Sequence, residues 1–202
     1  MLTTRIAVLV SGGGTNLQAL IDAQASGELK SGVLALVIAD KPGIGAIARA
    51  EQAEIPCEVI PRKEPGFEEN VLRALEASQA GMAVLAGFLG ILSGDFIRRF
   101  GKPIINIHPS LIPAFCGKGF YGLRVHQAVL DYGVKITGAT VHLVNEVTDG
   151  GKILLQRAVD ILPGDTPETL QRRVMEQAEW KLLPQAAELV AAEIAEEKES
   201  TL

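Results

Sequence analysis

Five short apolar runs, each followed by a glycine- or proline-marked break and a stretch with helical spacing, most constrain what this chain can fold into. They are Arg5–Val10, Val33–Ala39, Cys57–Ile60, Met82–Ala86 and Pro103–Ile107. The clearest of them lack the apolar–polar alternation of a half-exposed strand, so they are expected to be buried on both faces, as strands of a parallel sheet are. The stretches between them carry helical spacing or composition: Leu17, Leu20 and Ile21; Ala46–Ala53; Phe67, Val71, Leu75 and Ser78 within Phe67–Ala80; Asp95–Phe100; then Leu123–Tyr132. Strand and helix in alternation predict an α/β fold, a doubly wound and mostly parallel sheet with helices on both faces. Two more strands are expected at Thr137–Val144 and Lys152–Val159. A last helix is expected from a Thr166 cap, with Pro167 at its first position, to about Ala195 with a kink at Pro184. With no linker, repeat or low-complexity segment, residues 1–202 are expected to form a single domain.

Composition narrows the partners. The chain has 202 residues, 21% of them charged, with a formal net charge of −5. An acidic balance argues against a nucleic-acid backbone as partner, since phosphate binders carry a basic excess. Cys57 and Cys116 make neither metal-ligand spacing nor a disulfide framework, and read as unpaired thiols in a reducing compartment. No stretch approaches the roughly 18 uninterrupted apolar residues of a membrane span, and the Met1–Arg5 segment shows no leader cleavage pattern. The expectation is a cytoplasmic protein, with the acidic stretch after Ala192 as a solvated helix end.

The richest stretch is Ile104–Pro113. Residues two apart on a strand face the same side, so Asn106 and His108 point into one space. Pro109 cannot donate to a ladder, which places the pair at the carboxyl tip of the strand, where open parallel sheets bind ligands. An amide and an imidazole there could hold a carbonyl oxygen and the negative charge that grows on it during nucleophilic attack. His108 alone reads equally well as a core histidine bonded to backbone. A carboxylate would be needed to move a proton and to keep the imidazole charged, and Asp149, in the turn Asn145–Gly151, is the candidate. Nothing local shows that Asp149 reaches His108. His126 reads as structural or surface, and His142 as packed behind the site. No Gly-x-Ser-x-Gly elbow is present.

Three loops complete the picture. Ser11-Gly-Gly-Gly-Thr-Asn16 joins the first strand to a helix whose N-terminus suits an anion such as phosphate. It is neither a dinucleotide fingerprint, which would need glycine in place of Leu17, nor a P-loop. A tight turn with a Thr15 cap is the competing reading. Gly87–Ser93 is apolar and glycine-containing, suited to core packing or to a flat aromatic ligand against backbone. Arg62 and Lys63 form a charged cluster that reads as solvated or as the partner of an anionic ligand tail. Ala114–Gly122 is rich in glycine and aromatics and reads as a flexible lid.

Taken together, Asn106-Ile-His108-Pro-Ser-Leu-Ile-Pro113, Ser11-Gly-Gly-Gly-Thr-Asn-Leu-Gln18, Leu85-Ala-Gly-Phe88 and Asp149-Gly-Gly151 resemble the folate-dependent formyltransferases, in particular the phosphoribosylglycinamide formyltransferases of purine biosynthesis. The resemblance spans about residues 5–190. It implies a Rossmann-like formyltransferase sheet and transfer of a formyl group from 10-formyltetrahydrofolate, as co-substrate, to the amine of glycinamide ribonucleotide. Attack would be direct, through a tetrahedral intermediate and with no metal. It also implies roles: Asn106 and His108 on the developing oxyanion, with Asp149 raising the pKa of His108 and relaying a proton through water. Gly14, Thr15, Asn16 and Leu17 would cradle the phosphate, and Glu179 would hold the ribose hydroxyls. Leu89, Gly90, Ile91, Leu92 and Asn106 would line the folate pocket, with Lys63 toward the glutamate tail. The partners implied are small molecules, without nucleic acid or membrane, for a monomer or homodimer.

The chain departs from the family pattern at Gly13, often Asn; at Leu89-Gly90, often Met-Arg; at Trp180, often His; and in a longer Cys116–Gly119 loop. Methionyl-tRNA formyltransferase shares the chemistry but needs a further basic domain, and formyltetrahydrofolate hydrolase usually carries an amino-terminal regulatory domain. Neither is expected in an acidic chain whose first strand begins at residue 5. A catalytically silent nucleotide-binding module is the alternative from another class.

Overall fold

Seven strands form one sheet in the order β3-β2-β1-β4-β5-β6-β7. In the computed structural model, which describes residues 3–200, the strands are β1 (Thr4–Val10), β2 (Gly32–Ala39), β3 (Cys57–Val59), β4 (Met82–Leu85), β5 (Ile104–His108), β6 (Ile136–Leu143) and β7 (Ile153–Asp160). The first five run parallel, while β6 pairs antiparallel with both β5 and β7. This is the mostly parallel α/β sheet that the apolar runs predict. Met1, Leu2, Thr201 and Leu202, included in the expected single domain and in the leader-free start, lie outside the described residues.

The crossovers are α1 (Thr15–Ser26), α2 (Gly45–Gln52), α3 (Phe67–Ala77) and α4 (Gly94–Phe100), and α5 (Leu123–Tyr132) leads from β5 to β6. They cover both faces, and the pleat sorts the strand side chains between them. Ile6, Val8 and Val10 of β1 belong to one buried cluster with Leu17 and Leu20 of α1 and with Leu182 and Leu183 farther along the chain. Ala7 and Leu9 belong to the other, with Val71 and Leu75 of α3 and Phe96 of α4. Period-two alternation thus sends neighbouring residues into two cores, which is why the strand reads as uniformly apolar.

The carboxy-terminal helix differs from expectation. Thr166 accepts from the Thr169 N–H and forms a capping box, with Pro167 opening α6 (Pro167–Val174), as its sequence predicts. The irregularity then falls at a π-helical turn, Met175–Glu179, and not at Pro184. Pro184 sits inside α7 (Trp180–Glu199), which runs through it and past Ala195. Proline there removes one rung of the hydrogen-bond ladder; the wide turn immediately upstream carries Glu179, which is buried.

Strand order reverses at β1, whose neighbours β2 and β4 lie on opposite sides. The loops leaving β1 and β4 therefore diverge and open a crevice at their carboxyl ends, the switch point where such sheets take ligands.

The antiparallel edge is tight. A Cβ on Gly138 of β6 would lie 2.0 Å from the Arg157 carbonyl oxygen and 2.9 Å from Leu111 Cδ2. Gly138→Ala is expected to destabilise the fold by about 1–3 kcal/mol or more through overpacking. Gly12→Ala, where a Cβ meets nothing within 4 Å, should cost no more than about 0.5 kcal/mol. Urea denaturation of the two variants checks the contrast.

Candidate active site

Asn106 and His108 stand at the tip of β5, with Asn106 directly opposite His142 in the antiparallel register. The Asn106 Nδ2 lies 3.1 Å from His142 Nε2, and His142 Nδ1 lies 2.9 Å from the Leu143 carbonyl oxygen. A carbonyl only accepts, so Nδ1 carries a hydrogen and donates to it, which leaves Nε2 facing the Asn106 amide. That contact fixes which way the amide faces.

His108 is 4% exposed. Its Nε2 donates to the Phe115 carbonyl oxygen at 2.9 Å, and its Nδ1 faces Asp149 Oδ2 at 3.6 Å. The same carboxylate has Oδ1 3.6 Å from His142 Nε2 and accepts from the Gly117 N–H at 2.8 Å. Burial is the largest influence on His108 and lowers its pKa; Asp149 and the Phe115 carbonyl pull it upward without overcoming burial. The resemblance implied an imidazole raised by Asp149. The pull has that sign, yet the net shift is downward. Burial pushes the Asp149 carboxyl up, but His142 beside it, the His108 charge and the Gly117 N–H together hold it below its ordinary value.

Residues 114–122 close over this pair. Ser110 Oγ donates to the Ala114 carbonyl oxygen at 2.6 Å, and Phe115 and Phe120 pack against the core. Phe115 also meets Tyr132 edge-on, at 5.8 Å between ring centroids. The expected lid is thus tied to both titratable groups through its backbone. Cys116 lies between the two contacting residues, its thiol pushed up by burial and then by Asp149.

At the other end of the site the glycine loop leaves β1. Gly14 has φ +76°, and a Cβ there would lie 2.7 Å from Ala46 Cα, so the position needs glycine for conformation and for space. It caps α1 without any side-chain hydrogen bond. Thr15 is therefore the first helical residue and not the cap that the tight-turn reading requires. Leu17 is fully buried, which leaves only its N–H for a ligand. Asn16 Nδ2 donates to Glu179 Oε2 at 2.7 Å, and burial raises the Glu179 carboxyl to about 7 against that hydrogen bond.

A cavity of about 610 Å³ joins the two ends, lined by Asn16, Glu179, Leu89, Gly90, Ile91, Leu92, Asn106, His108 and Asp149. Lys63 is exposed and stands outside it. Its neighbour Arg62 is also exposed but reaches toward the site, with Nε 3.6 Å from buried Asp40 and Cδ 3.1 Å from where a Gly90 Cβ would be. His126 on α5 is fully buried, and burial followed by the His108 charge lowers it to about 4.

The sequence reading missed three supports of the site. Ser11 Oγ donates to Asp40 and accepts from the Leu89 N–H, tying the loops after β1, β2 and β4 together. The Phe115 carbonyl is a backbone group with no side-chain signature. The π-turn that carries Glu179 leaves no residue pattern of its own; only Pro184 nearby hints at a disturbed helix.

Residues 4–187 match the formyl transferase family model. The chain belongs to the formyl transferase family. It is 40% identical over 184 residues to the phosphoribosylglycinamide formyltransferase of Haemophilus influenzae, covering 89% of this chain and 84% of that protein. The crystal structure of the Brucella melitensis phosphoribosylglycinamide formyltransferase superposes with a TM-score of 0.84 at 41% identity, covering 94% of this chain and 96% of that one. The bovine trifunctional purine biosynthetic protein adenosine-3 is 43% identical over 192 residues, which is 93% of this chain but 18% of that protein. Within the formyl transferase family the chain thus falls in the phosphoribosylglycinamide formyltransferase branch.

In this formyl transferase the raised Glu179 carboxyl has a measurable consequence. Between its ordinary value of 4.5 and about 7 the folded state holds this proton more tightly than the unfolded chain. The contribution to stability is therefore present at low pH and is lost as pH rises through that window. Glu179→Gln keeps an acceptor for Asn16 without the titration. Between about pH 5 and pH 8 it should gain on the wild type by of the order of 2–3 kcal/mol, read by urea denaturation at each pH.

Proposed function

We propose that the protein transfers the formyl group of 10-formyltetrahydrofolate to the amine of glycinamide ribonucleotide, the phosphoribosylglycinamide formyltransferase step of purine biosynthesis. The observation that carries this reading is the two-ended cavity. Asn106, His108 and Asp149 converge at one end, and the glycine loop and Glu179 stand at the other. A phosphorylated amine held at the glycine loop would present its nitrogen to a formyl carbon placed beside the tip of β5.

The amine attacks the formyl carbon and the carbonyl oxygen takes up negative charge. Asn106 donates an amide hydrogen to that oxygen, with its orientation set by His142. The Nδ1 edge of His108 stands 3.6 Å from Asp149, too long for a direct hydrogen bond and too short for an atom between them, so the two groups act on each other through charge. Asp149 favours the protonated imidazole, which stabilises the oxyanion. Asp149 takes the amine proton through water, the protonated His108 gives its proton to the departing folate nitrogen as the intermediate collapses, and the proton on Asp149 then restores the imidazolium. The phosphate accepts from the free N–H groups of Gly14, Thr15, Asn16 and Leu17, and ionised Glu179 accepts from the ribose hydroxyls. The folate lies against Leu89, Gly90, Ile91 and Leu92, mostly through backbone.

The net charge of −5 fits small substrates rather than nucleic acid. Two free cysteines fit a reducing compartment, for which we propose the cytoplasm. No described helix is long and apolar enough to cross a membrane. A monomer or homodimer is expected, which sedimentation reads directly.

The deciding experiment follows 10-formyltetrahydrofolate consumption by purified protein with and without glycinamide ribonucleotide. Turnover only with the ribonucleotide supports the transferase. Consumption without it means a hydrolase, and none at all means a silent binding module. His108→Ala and Asp149→Ala should each lower turnover by roughly 10²-fold or more with the fold retained. An Asn106→Ala variant with wild-type turnover would remove the oxyanion assignment.

A further inference from the structure

Three consecutive carbonyls of the glycine loop are tied down on the protein side. The Gly12 oxygen accepts from the Ala46 N–H at 3.2 Å, and the Gly14 oxygen from the Gln18 N–H at 2.8 Å. The Gly13 oxygen between them accepts from Arg49 Nε at 2.8 Å. In a planar trans peptide the N–H points opposite to the C=O that shares its plane. Each tie therefore turns the next N–H away from its partner, and the N–H groups of Gly13, Gly14 and Thr15 have no acceptor among the described residues. Successive outward N–H groups at a helix start make an anion-binding concavity.

Two of the three ties are backbone groups that come with α1 and α2. The third is a side chain, and the structure builds it with care. Arg49 lies in the last turn of α2 and is braced by a second bond, Nη1 to Gln18 Oε1 at 2.8 Å. Packing leaves room for this reach: a Cβ on Gly45 would lie 3.1 Å from the Gly13 oxygen, and one on Gly14 would lie 3.2 Å from Arg49 Cδ. The guanidinium also sets a permanent positive charge directly behind the loop.

We infer that Arg49 is the positioning residue of the phosphate cradle: by holding the Gly13 carbonyl it aims the Gly14 N–H at the ribonucleotide phosphate and adds the only side-chain charge in the set of ties. It acts through the loop backbone and does not itself move a proton. The inference rests on the phosphate reading of the glycine loop proposed above, and it makes affinity for the phosphorylated substrate depend on a residue whose sequence position, 35 residues after Gly14, carries no motif.

The test compares Arg49→Gln and Arg49→Lys with the wild type in the formyl-transfer assay, with inorganic phosphate as a competing anion. In Arg49→Gln the KM for the ribonucleotide should rise about tenfold or more, the loss of one charge-assisted bond. Inhibition by inorganic phosphate should weaken in parallel, while kcat and the KM for the folate stay within about twofold. Arg49→Lys should recover part of the loss, since it keeps the charge without the fork that reaches Gly13 and Gln18 together. Unchanged ribonucleotide KM and phosphate inhibition in Arg49→Gln overturns the role. An equal rise in both KM values together with a lowered thermal midpoint also overturns it, because that is general loosening. A wild type with no ribonucleotide-dependent turnover sinks the function proposed above and this inference with it, and is distinguished by being seen before any variant is made.

Discussion

The pairing of β5 with β6 is the constraint on which the site depends. Antiparallel register sets His142 opposite Asn106 and Thr140 opposite His108. The chain leaves β6 beside the start of β5, where the Val144 N–H donates to the Ile104 carbonyl, and turns back through 144–152 so that Asp149 arrives 3.6 Å from both imidazoles. Had β6 joined the sheet parallel, its residues would meet β5 in evenly slanted bonds without directly facing pairs. The direct pair is what lets one ring hold the Asn106 amide and touch the carboxylate as well. Asp149 itself sits at φ +55°, in a turn followed by Gly150 and Gly151. A Cβ on Gly151 would meet the Leu143 carbonyl, so the return to β7 admits no side chain there.

The crevice at β1 and β4 supplies the other half. Its two loops are not independent, because Ser11 bridges buried Asp40 and the Leu89 N–H. A ribonucleotide at the glycine loop and an aromatic ligand at Leu89–Leu92 would therefore rest on one hydrogen-bonded frame. Electrostatics divides along the same line. The β5 end gathers a depressed carboxylate and a buried imidazole, whereas Glu179 at the far end is raised by burial and held by a single amide. Two carboxylates in one cavity thus titrate in opposite directions for one reason: Asp149 has several donors or charges around it, and Glu179 has one donor.

The strands, the crossovers and the placing of Asn106 and His108 together at the tip of one strand were legible because each rests on local pattern. A run such as Ile6–Val10 can only be a doubly buried strand, and Pro109 must end β5. Lys63 shows where local reading stops. Arginine and lysine stand side by side at 62 and 63, both exposed, and only the packing of the loop directs the Arg62 side chain toward Asp40 and Gly90. Thr15 shows the same limit at a helix start. Threonine is a good cap by type, but Gly14 in the left-handed region takes the cap position because the loop must pass against Ala46.

By itself the sequence determined the sheet class, the site strand and the pair of side chains at its tip, since period, proline and glycine act over a few residues and need no partner. Tertiary structure alone decided that Asp149 meets His108, that His142 faces Asn106, that Arg49 holds Gly13, and that the net pull on His108 is downward. Those contacts join residues 36 to 41 positions apart, and the last depends on how much water is excluded; neither distance in space nor burial is written in neighbouring residues. Both follow from how the strands align and what packs over them.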